Sequence, residues 1–257
     1  MTTSQSHSAA APYDRLGHGY ALKRRPDPRI AAHVEEALGD ARSVLNVGAG
    51  SGSYESPDRE ILAVEPSRVM IAQRPAGAAA AIRADAEALP LPDRSFDAVT
   101  AILTVHHWRD WRAGIAELVR VAANRVVVLA ADAVRACDFW LVRDYLPGLA
   151  AVHQRFPPLA AQVGALGAPR EVAGEIPHDC SDGFLGAYWR RPHAYLDSGV
   201  RAATSVFARL DAEALDHGLR LLEDDLSSGR WERRNGELLE RESLDLGYRL
   251  LMEEQAG

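Results

Sequence analysis

The chain predicts an α/β fold built on a parallel sheet, and three features carry that expectation. Residues 43–47 form an apolar strand that runs straight into the turn Gly48-Ala49-Gly50-Ser51-Gly52. A second apolar run, residues 61–65, ends on the carboxylate of Glu65. From there to Asp132, strand-like and helix-like periods alternate, the order that lays parallel strands side by side beneath crossover helices.

Residues 28–39 read as a helix because Asp27 precedes Pro28, because Ile30, Val34 and Leu38 recur every four residues, and because Gly39 closes it. The stretch between Gly52 and the second strand is short and interrupted by Pro57, which leaves room for a turn or two of helix. A helix starts near Ser67, a short third strand lies near 81–83, and the nearly continuous apolar run 96–103 is the fourth strand. Residues 108–122 form a helix with Trp111, Ile115, Leu118 and Val119 as its inner stripe, and 125–131 are the fifth strand.

After Asp132 the pattern changes to a mostly helical cap. Residues 134–146 read as one apolar helix, Pro147, Pro157 and Pro158 punctuate the chain, and 211–226 repeat Leu215, Leu219, Leu222 and Leu226. Residues 243–252 place Leu244, Leu246, Tyr248 and Leu250 on one face, which suits an antiparallel strand returning to the sheet.

Composition narrows the function. With 257 residues and 47% hydrophobic side chains the chain fits one α/β domain plus a cap better than two domains. Acidic residues exceed basic ones by 36 to 29, a net charge of −7, so there is no cationic surplus to neutralise nucleic-acid phosphates; Lys23, Arg24, Arg25 and Arg29 are a local exception. Cys137 and Cys180 have neither disulfide-framework nor zinc spacing, and no run has the length of a signal peptide core or a membrane span. The expectation is a cytoplasmic enzyme-sized unit with no membrane partner, and with residues 1–12 as a disordered tail.

The glycine turn is the richest site. Gly48 and Gly50 permit backbone angles that a side chain forbids, so bare main chain can lie against a ligand. Glu65, thirteen residues past Gly52, is placed to accept hydrogen bonds from both hydroxyls of a ribose. A dinucleotide fingerprint needs G-x-G-x-x-G, but Ser53 occupies its third position and the extra glycine comes one residue early. A phosphate-binding P-loop would need Gly-Lys-Ser/Thr next; instead Glu55, Asp58 and Glu60 follow, which repel a triphosphate. The G-x-G-x-G form suits S-adenosylmethionine.

Further stretches resemble the class I S-adenosylmethionine-dependent methyltransferases, and in particular the type 11 branch, to which ubiquinone-biosynthesis methyltransferases are related. These are Val64-Glu65-Pro66-Ser67-Arg68-Val69-Met70, then Ala84-Asp85-Ala86-Glu87-Ala88-Leu89-Pro90-Leu91-Pro92, then Ser95-Phe96-Asp97-Ala98-Val99; the likeness is strong over residues 42–132 and weak elsewhere. The resemblance implies a Rossmann-like, mostly parallel sheet of seven strands in the order 3-2-1-4-5-7-6, with the last strand antiparallel, helices on both faces and a sixth strand at 170–176. It implies a lid at 13–28, a cofactor-binding core at 29–132, a cap at 133–242 and the final strand within 243–257.

The cofactor site the resemblance implies consists of Asn46, Gly48, Ala49, Gly50, Gly52, Glu65, Pro66, Met70, Asp85, Ala86 and Thr104, closed by Tyr20 and Arg24 from the lid. In that family Asp85 would meet the adenine amino group and the Ala86 backbone its ring, while Arg24 or Arg25 would pair with the methionine carboxylate. One departure is Asn46, where the family more often has Asp or Glu; an amide accepts a hydrogen bond but supplies no charge.

The implied chemistry is in-line displacement of a sulfonium methyl group by an O, N or C nucleophile of a small molecule. His106 and His107 follow the fourth strand at its carboxyl end and are the candidate catalytic bases. Adjacent residues on a strand or turn point apart, which argues against a metal site there. In the cap, His178-Asp179-Cys180-Ser181-Asp182 and Tyr188-Trp189-Arg190-Arg191, with Trp140, are candidate walls of an acceptor pocket, against ordinary packing. Two other readings stand beside this one: a protein that binds S-adenosylmethionine without transferring methyl, and a nicotinamide-dependent oxidoreductase, which lacks here both its third glycine and a Tyr-x-x-x-Lys.

Overall fold

The computed structural model describes residues 23–255. The sheet has seven strands in the order β3-β2-β1-β4-β5-β7-β6. They are β1 (Ser43–Val47), β2 (Glu60–Val64), β3 (Ala80–Ile82), β4 (Phe96–Ile102), β5 (Ala122–Ala131), β6 (Arg170–Pro177) and β7 (Ser243–Glu254). The first five run parallel, and β7 lies antiparallel between β5 and β6. The sheet order and the returning last strand are those the family resemblance implied.

Successive strand residues point to opposite faces, and the core divides accordingly. Val44, Ala98, Val127 and Leu129 belong to one cluster, which helix α1 (Pro28–Leu38) and the cap complete. Leu45, Val99, Val126 and Val128 belong to the other, covered by α2 (Trp111–Val121) and α3 (Leu159–Leu166). Leu246, Tyr248 and Leu250 join the first cluster while Leu251 joins the second, so β7 is buried on both sides. Burial of each large apolar side chain here contributes about 1.5 to 3 kcal/mol.

Capping sets the helix starts. The Asp27 carboxylate accepts the Arg29 N–H at 3.0 Å and also the Ser181 N–H at 3.0 Å, which fastens the head of α1 to the cap. Asp110 caps α2 through the N–H groups of Arg112 and Ala113, both at 3.1 Å, so that helix starts at Trp111 and not at Trp108. Its buried stripe is Gly114, Ile115, Leu118 and Val121, with Val119 only half-buried. No helix forms between Gly52 and β2, where turns replace the expected helical residues.

The apolar stretch 134–146 is not one helix. A short helix (Ala133–Cys137) ends at Asp138, and a π-turn over Leu141–Tyr145 follows, closed by Leu146 N–H on Leu141 O at 2.8 Å. Phe139, Trp140, Leu141 and Val142 are all buried, 4%, 3%, 0% and 1% exposed. These four consecutive residues are packed on all sides, and the expected single apolar helix is divided at Asp138 into a short helix and a π-turn. The 211–226 helix does form, over Ala212–Ser227, but buries Gly218, Leu222 and Asp225 and leaves Leu215, Leu219 and Leu226 half-buried.

Candidate active site

The carboxyl ends of β1 to β4 splay around a cavity of about 500 Å³. This is the crevice at which open α/β sheets bind ligands. Its floor is the turn after β1, where Gly48, Gly50 and Gly52 have φ of +70°, +55° and +93°. The Gly48 and Ala49 N–H groups donate to Val64 O at 2.8 and 3.0 Å, holding the turn against the end of β2. A methyl group at Gly48 would sit 2.0 Å from Thr104 Oγ1, so only glycine lets the turn and the loop after β4 pass this closely.

Glu65 is 6% exposed. Its carboxylate accepts the Gly50 N–H at 2.8 Å and the Ser67 N–H at 2.9 Å. A carboxylate offers about four acceptor sites, and these two backbone bonds fix the direction in which the others point. Met70, 3% exposed, packs beneath Gly50 and still reaches the cavity. Asp85 and Ala86 line the far side, where Arg109 Nη2 lies 3.5 Å from the Asp85 carboxylate and the Arg109 N–H donates to Glu87 at 2.8 Å.

Asn46 lines the cavity through a side chain engaged at both ends. Its Nδ2 donates to Glu55 Oε1 at 3.0 Å, and its Oδ1 accepts from Thr100 Oγ1 at 3.3 Å. Glu55 is in turn paired with Arg74 at 2.7 Å, and both side chains are nearly buried.

His106 and His107 sit on a single 3-10 turn, Val105–His107. Tight turns rotate neighbours less than strands do, and the two rings lie 3.9 Å apart, which corrects the expectation that they point away from each other. Among the described residues no group of three or more His, Cys, Asp or Glu could hold a metal ion. His106 stacks on Phe156 at 4.4 Å, and Phe156 meets the buried His153 edge-on at 5.4 Å. Burial, with His107 and Arg209 nearby, holds the His106 pKa well below its ordinary value. Burial, then Arg209 and Arg24, hold His107 at about 3.

At the cap side of the cavity, Asp182 is fully buried between two partners. Arg24 Nε lies 2.5 Å from Asp182 Oδ1, and Tyr54 donates its hydroxyl to Asp182 Oδ2 at 2.8 Å. An isolated β-bridge also pairs Arg24 with Asp182.

The cavity gathers Arg24, Asn46, Gly48, Ala49, Gly50, Glu65, Pro66, Met70, Asp85, Ala86, Thr104 and His107 from the sequence candidates. Gly52 and His106 stand behind its lining, and Tyr20 lies outside the described residues. Tyr54, Leu103, Trp108 and Arg109 line it without having been expected. Tyr54 and Leu103 carry left-handed backbone, φ +61° and +52°, a strain common at ligand sites and visible only once the chain has folded.

Most of the aromatic and basic cap candidates are packing residues. Trp189 is fully buried with its indole N–H on Ile176 O at 2.9 Å, and Trp140 donates to Trp189 O at 2.9 Å. Arg191 lies over the Tyr188 ring and donates to Cys180 O and Ala187 O, and Arg190 donates to Arg241 O. Their polar atoms are spent on backbone carbonyls inside the cap, so they do not wall the cavity. Cys137 and Cys180 are free thiols.

A family model described as a methyltransferase domain, of the type 11 branch, matches residues 45–129. A solved structure from Anabaena variabilis, assigned as a methyltransferase of an antibiotic biosynthesis pathway, is 34% identical, with 90% of this chain and 98% of that one covered and a TM-score of 0.84. The chain belongs to the S-adenosylmethionine-dependent methyltransferases. Demethylmenaquinone methyltransferases of Deinococcus radiodurans and Thermus thermophilus are 35% and 34% identical over 136 and 111 residues, 48% and 37% of this chain. The chain spans about half the length of these curated relatives, 56% and 50%.

The methyltransferase cavity fits its cofactor on its own chemistry. Main chain bared at Gly48 and Gly50 and the oriented Glu65 carboxylate, which can accept ribose hydroxyls, suit a nucleoside. No helix among the described residues is long and apolar enough to cross a membrane.

Proposed function

We propose that this protein transfers the methyl group of S-adenosylmethionine to an O, N or C nucleophile of a small molecule. The observation that supports the reading is the Glu65 carboxylate, oriented by the Gly50 and Ser67 N–H groups at the mouth of the cavity between β1 and β2. In this reading Glu65 receives the ribose hydroxyls, Asp85 and the Ala86 backbone receive adenine beside Met70, and the turn from Gly48 to Gly50 lies along the amino-acid end. Arg24 and Tyr54 then face that end from the cap side.

The bound cofactor would supply an electrophilic methyl carbon, which the acceptor attacks in line from the side opposite sulfur, the new bond forming as the carbon–sulfur bond breaks and S-adenosylhomocysteine leaves. The protein's part is to hold the acceptor at about 3 Å in line and to exclude water, which supplies on the order of 7 to 11 kcal/mol of the barrier. His107 faces the cavity, but a base held at a pKa of about 3 draws little proton from a neutral hydroxyl near pH 7. In this reading burial favours a neutral hydrogen-bonding and stacking role for His106 and His107, which suffices for an acceptor that attacks as a neutral amine, while a hydroxyl or carbon-acid acceptor requires a general base as well.

The reading is tested by incubating the protein with S-adenosylmethionine labelled on the methyl group and small-molecule extracts, then tracing label into a product. Label appearing in a small molecule, with S-adenosylhomocysteine formed in equal amount, is the expected result. Tight binding of S-adenosylhomocysteine with no transfer to any extract would favour a regulator that only binds the cofactor, and tight binding of a nicotinamide nucleotide in its place would overturn both.

A further inference from the structure

The family position at the end of β1 more often holds a carboxylate, and here it holds Asn46, whose amide carries no charge. The structure has a carboxylate next to it. Glu55, nine residues on in the chain, bends back so that its Oε1 accepts the Asn46 Nδ2 at 3.0 Å. A carboxylate only accepts, so this contact fixes which end of the amide faces which way, and Oδ1 is left as the acceptor of Asn46. Thr100 Oγ1 lies 3.3 Å from that same Oδ1 and 3.4 Å from Leu45 O, and it has one hydroxyl proton for the two, so Oδ1 keeps acceptor capacity for a cationic ligand group.

Glu55 is itself held from behind. Arg74 Nη2 lies 2.7 Å from Glu55 Oε2, with side-chain exposures of only 6% for Arg74 and 8% for Glu55. Arg74 Nη1 is buried with no hydrogen-bond partner. Burying such a pair costs much of its own attraction, so stability alone is a weak reason for its place beneath a ligand turn. The pair also accounts for Gly52, which does not reach the cavity. A Cβ there would lie 3.3 Å from Arg74 Nη1 and 3.4 Å from Glu55 Oε2, tight contacts at a residue whose φ is +93°. The third glycine of the turn makes room for the ion pair and not for the ligand.

We propose that the acidic function at the ammonium end of the cofactor has moved in this chain from the strand-end residue to Glu55, a positioning residue that acts through the Asn46 amide and is anchored by Arg74. The inference rests on the cofactor reading given above. It assigns Glu55, Arg74 and Gly52 one shared task, and it makes recognition of the amino-acid end separable from recognition of adenosine.

The test is calorimetric titration with S-adenosylhomocysteine and with 5′-methylthioadenosine, which has the adenosine and sulfur but no amino-acid end. Glu55→Gln is expected to weaken S-adenosylhomocysteine about tenfold, since a charge-assisted contact is lost and the Arg74 cation is uncovered. The same change is expected to leave 5′-methylthioadenosine within about twofold. Asn46→Asp combined with Glu55→Gln returns the carboxylate to the strand end and should recover most of the lost affinity. Should Glu55→Gln fail to fold, Glu55→Gln with Arg74→Gln removes both charges together and is expected to show the same split between the two ligands. Equal weakening of both ligands, or no weakening of S-adenosylhomocysteine, overturns the role of Glu55. Failure of the unaltered protein to bind either ligand instead overturns the cofactor reading beneath it.

Discussion

The Glu65 carboxylate, at the end of β2, accepts the Gly50 N–H on the turn after β1 at 2.8 Å. One side chain thus joins the two strand ends between which the ligand crevice opens. Glu65→Ala removes both this bond and the one from Ser67. We expect S-adenosylhomocysteine affinity to fall by about 100-fold and stability by roughly 1 to 3 kcal/mol, because the buried Ser67 N–H and the half-buried Gly50 N–H lose their acceptor. Titration calorimetry and urea unfolding check the two effects separately.

Gly48→Ala is expected to be among the most damaging single changes. The added methyl would lie 2.0 Å from Thr104 Oγ1 and 2.8 Å from Thr104 Cβ, at a φ of +70°. Strain and overpacking together predict a loss of about 3 kcal/mol or more. Thermal unfolding should show it as a large drop in Tm, with cofactor binding lost in whatever material remains folded.

Asp182 ties the first described residues to the cap and to the glycine turn. Asp182→Ala leaves Arg24 without its close ion partner and Tyr54 without its hydroxyl acceptor, so the expected cost is about 3 to 5 kcal/mol. Limited trypsin digestion gives an independent readout: cleavage after Lys23 and Arg24 should become faster in the variant than in the unaltered chain.

His153 predicts acid sensitivity. Burial lowers its pKa from 6.5 to about 4, so the folded protein keeps it neutral while the unfolded chain takes up a proton below pH 6.5. The contribution to stability is therefore whole above that pH and is lost as pH falls from 6.5 toward 4, with a slope approaching ~1.4 kcal/mol per pH unit for this one group. His153→Phe should flatten that part of a plot of unfolding free energy against pH. At pH 7.5 the change is expected to be close to neutral, because His153 Nδ1 is buried with no hydrogen-bond partner to lose.

Much of the site was legible in local sequence because its parts are short and chemically distinctive. Gly48, Gly50 and Glu65 each sit within a few residues of a strand end, and strand ends follow from apolar runs that local periodicity reveals, whereas Asp85 was marked by the family resemblance. The helical cap was less legible. Phe139 to Val142 read as part of one apolar helix in sequence, yet the fold surrounds them on every side and the chain passes into a π-turn over Leu141–Tyr145. Trp189 and Arg191 have the composition of pocket walls, but backbone carbonyls of the cap had already claimed their donors.

The amino-acid sequence by itself determined the order of strands and helices over the first half of the chain and the chemistry of the glycine turn, since both depend on neighbours along the backbone. Only the tertiary structure decided that Glu55 and Arg74 lie under Asn46, that Asp182 meets Arg24 and Tyr54, and that His106 and His107 lie close with their rings tilted while Phe156 stacks on His106. These contacts range from neighbours in the chain to residues more than a hundred positions apart, Asn46 and Glu55 being nine residues apart and Tyr54 and Asp182 being 128 apart. Their charges and pKa values follow from burial and proximity, which exist only once the sheet has brought the strand ends together.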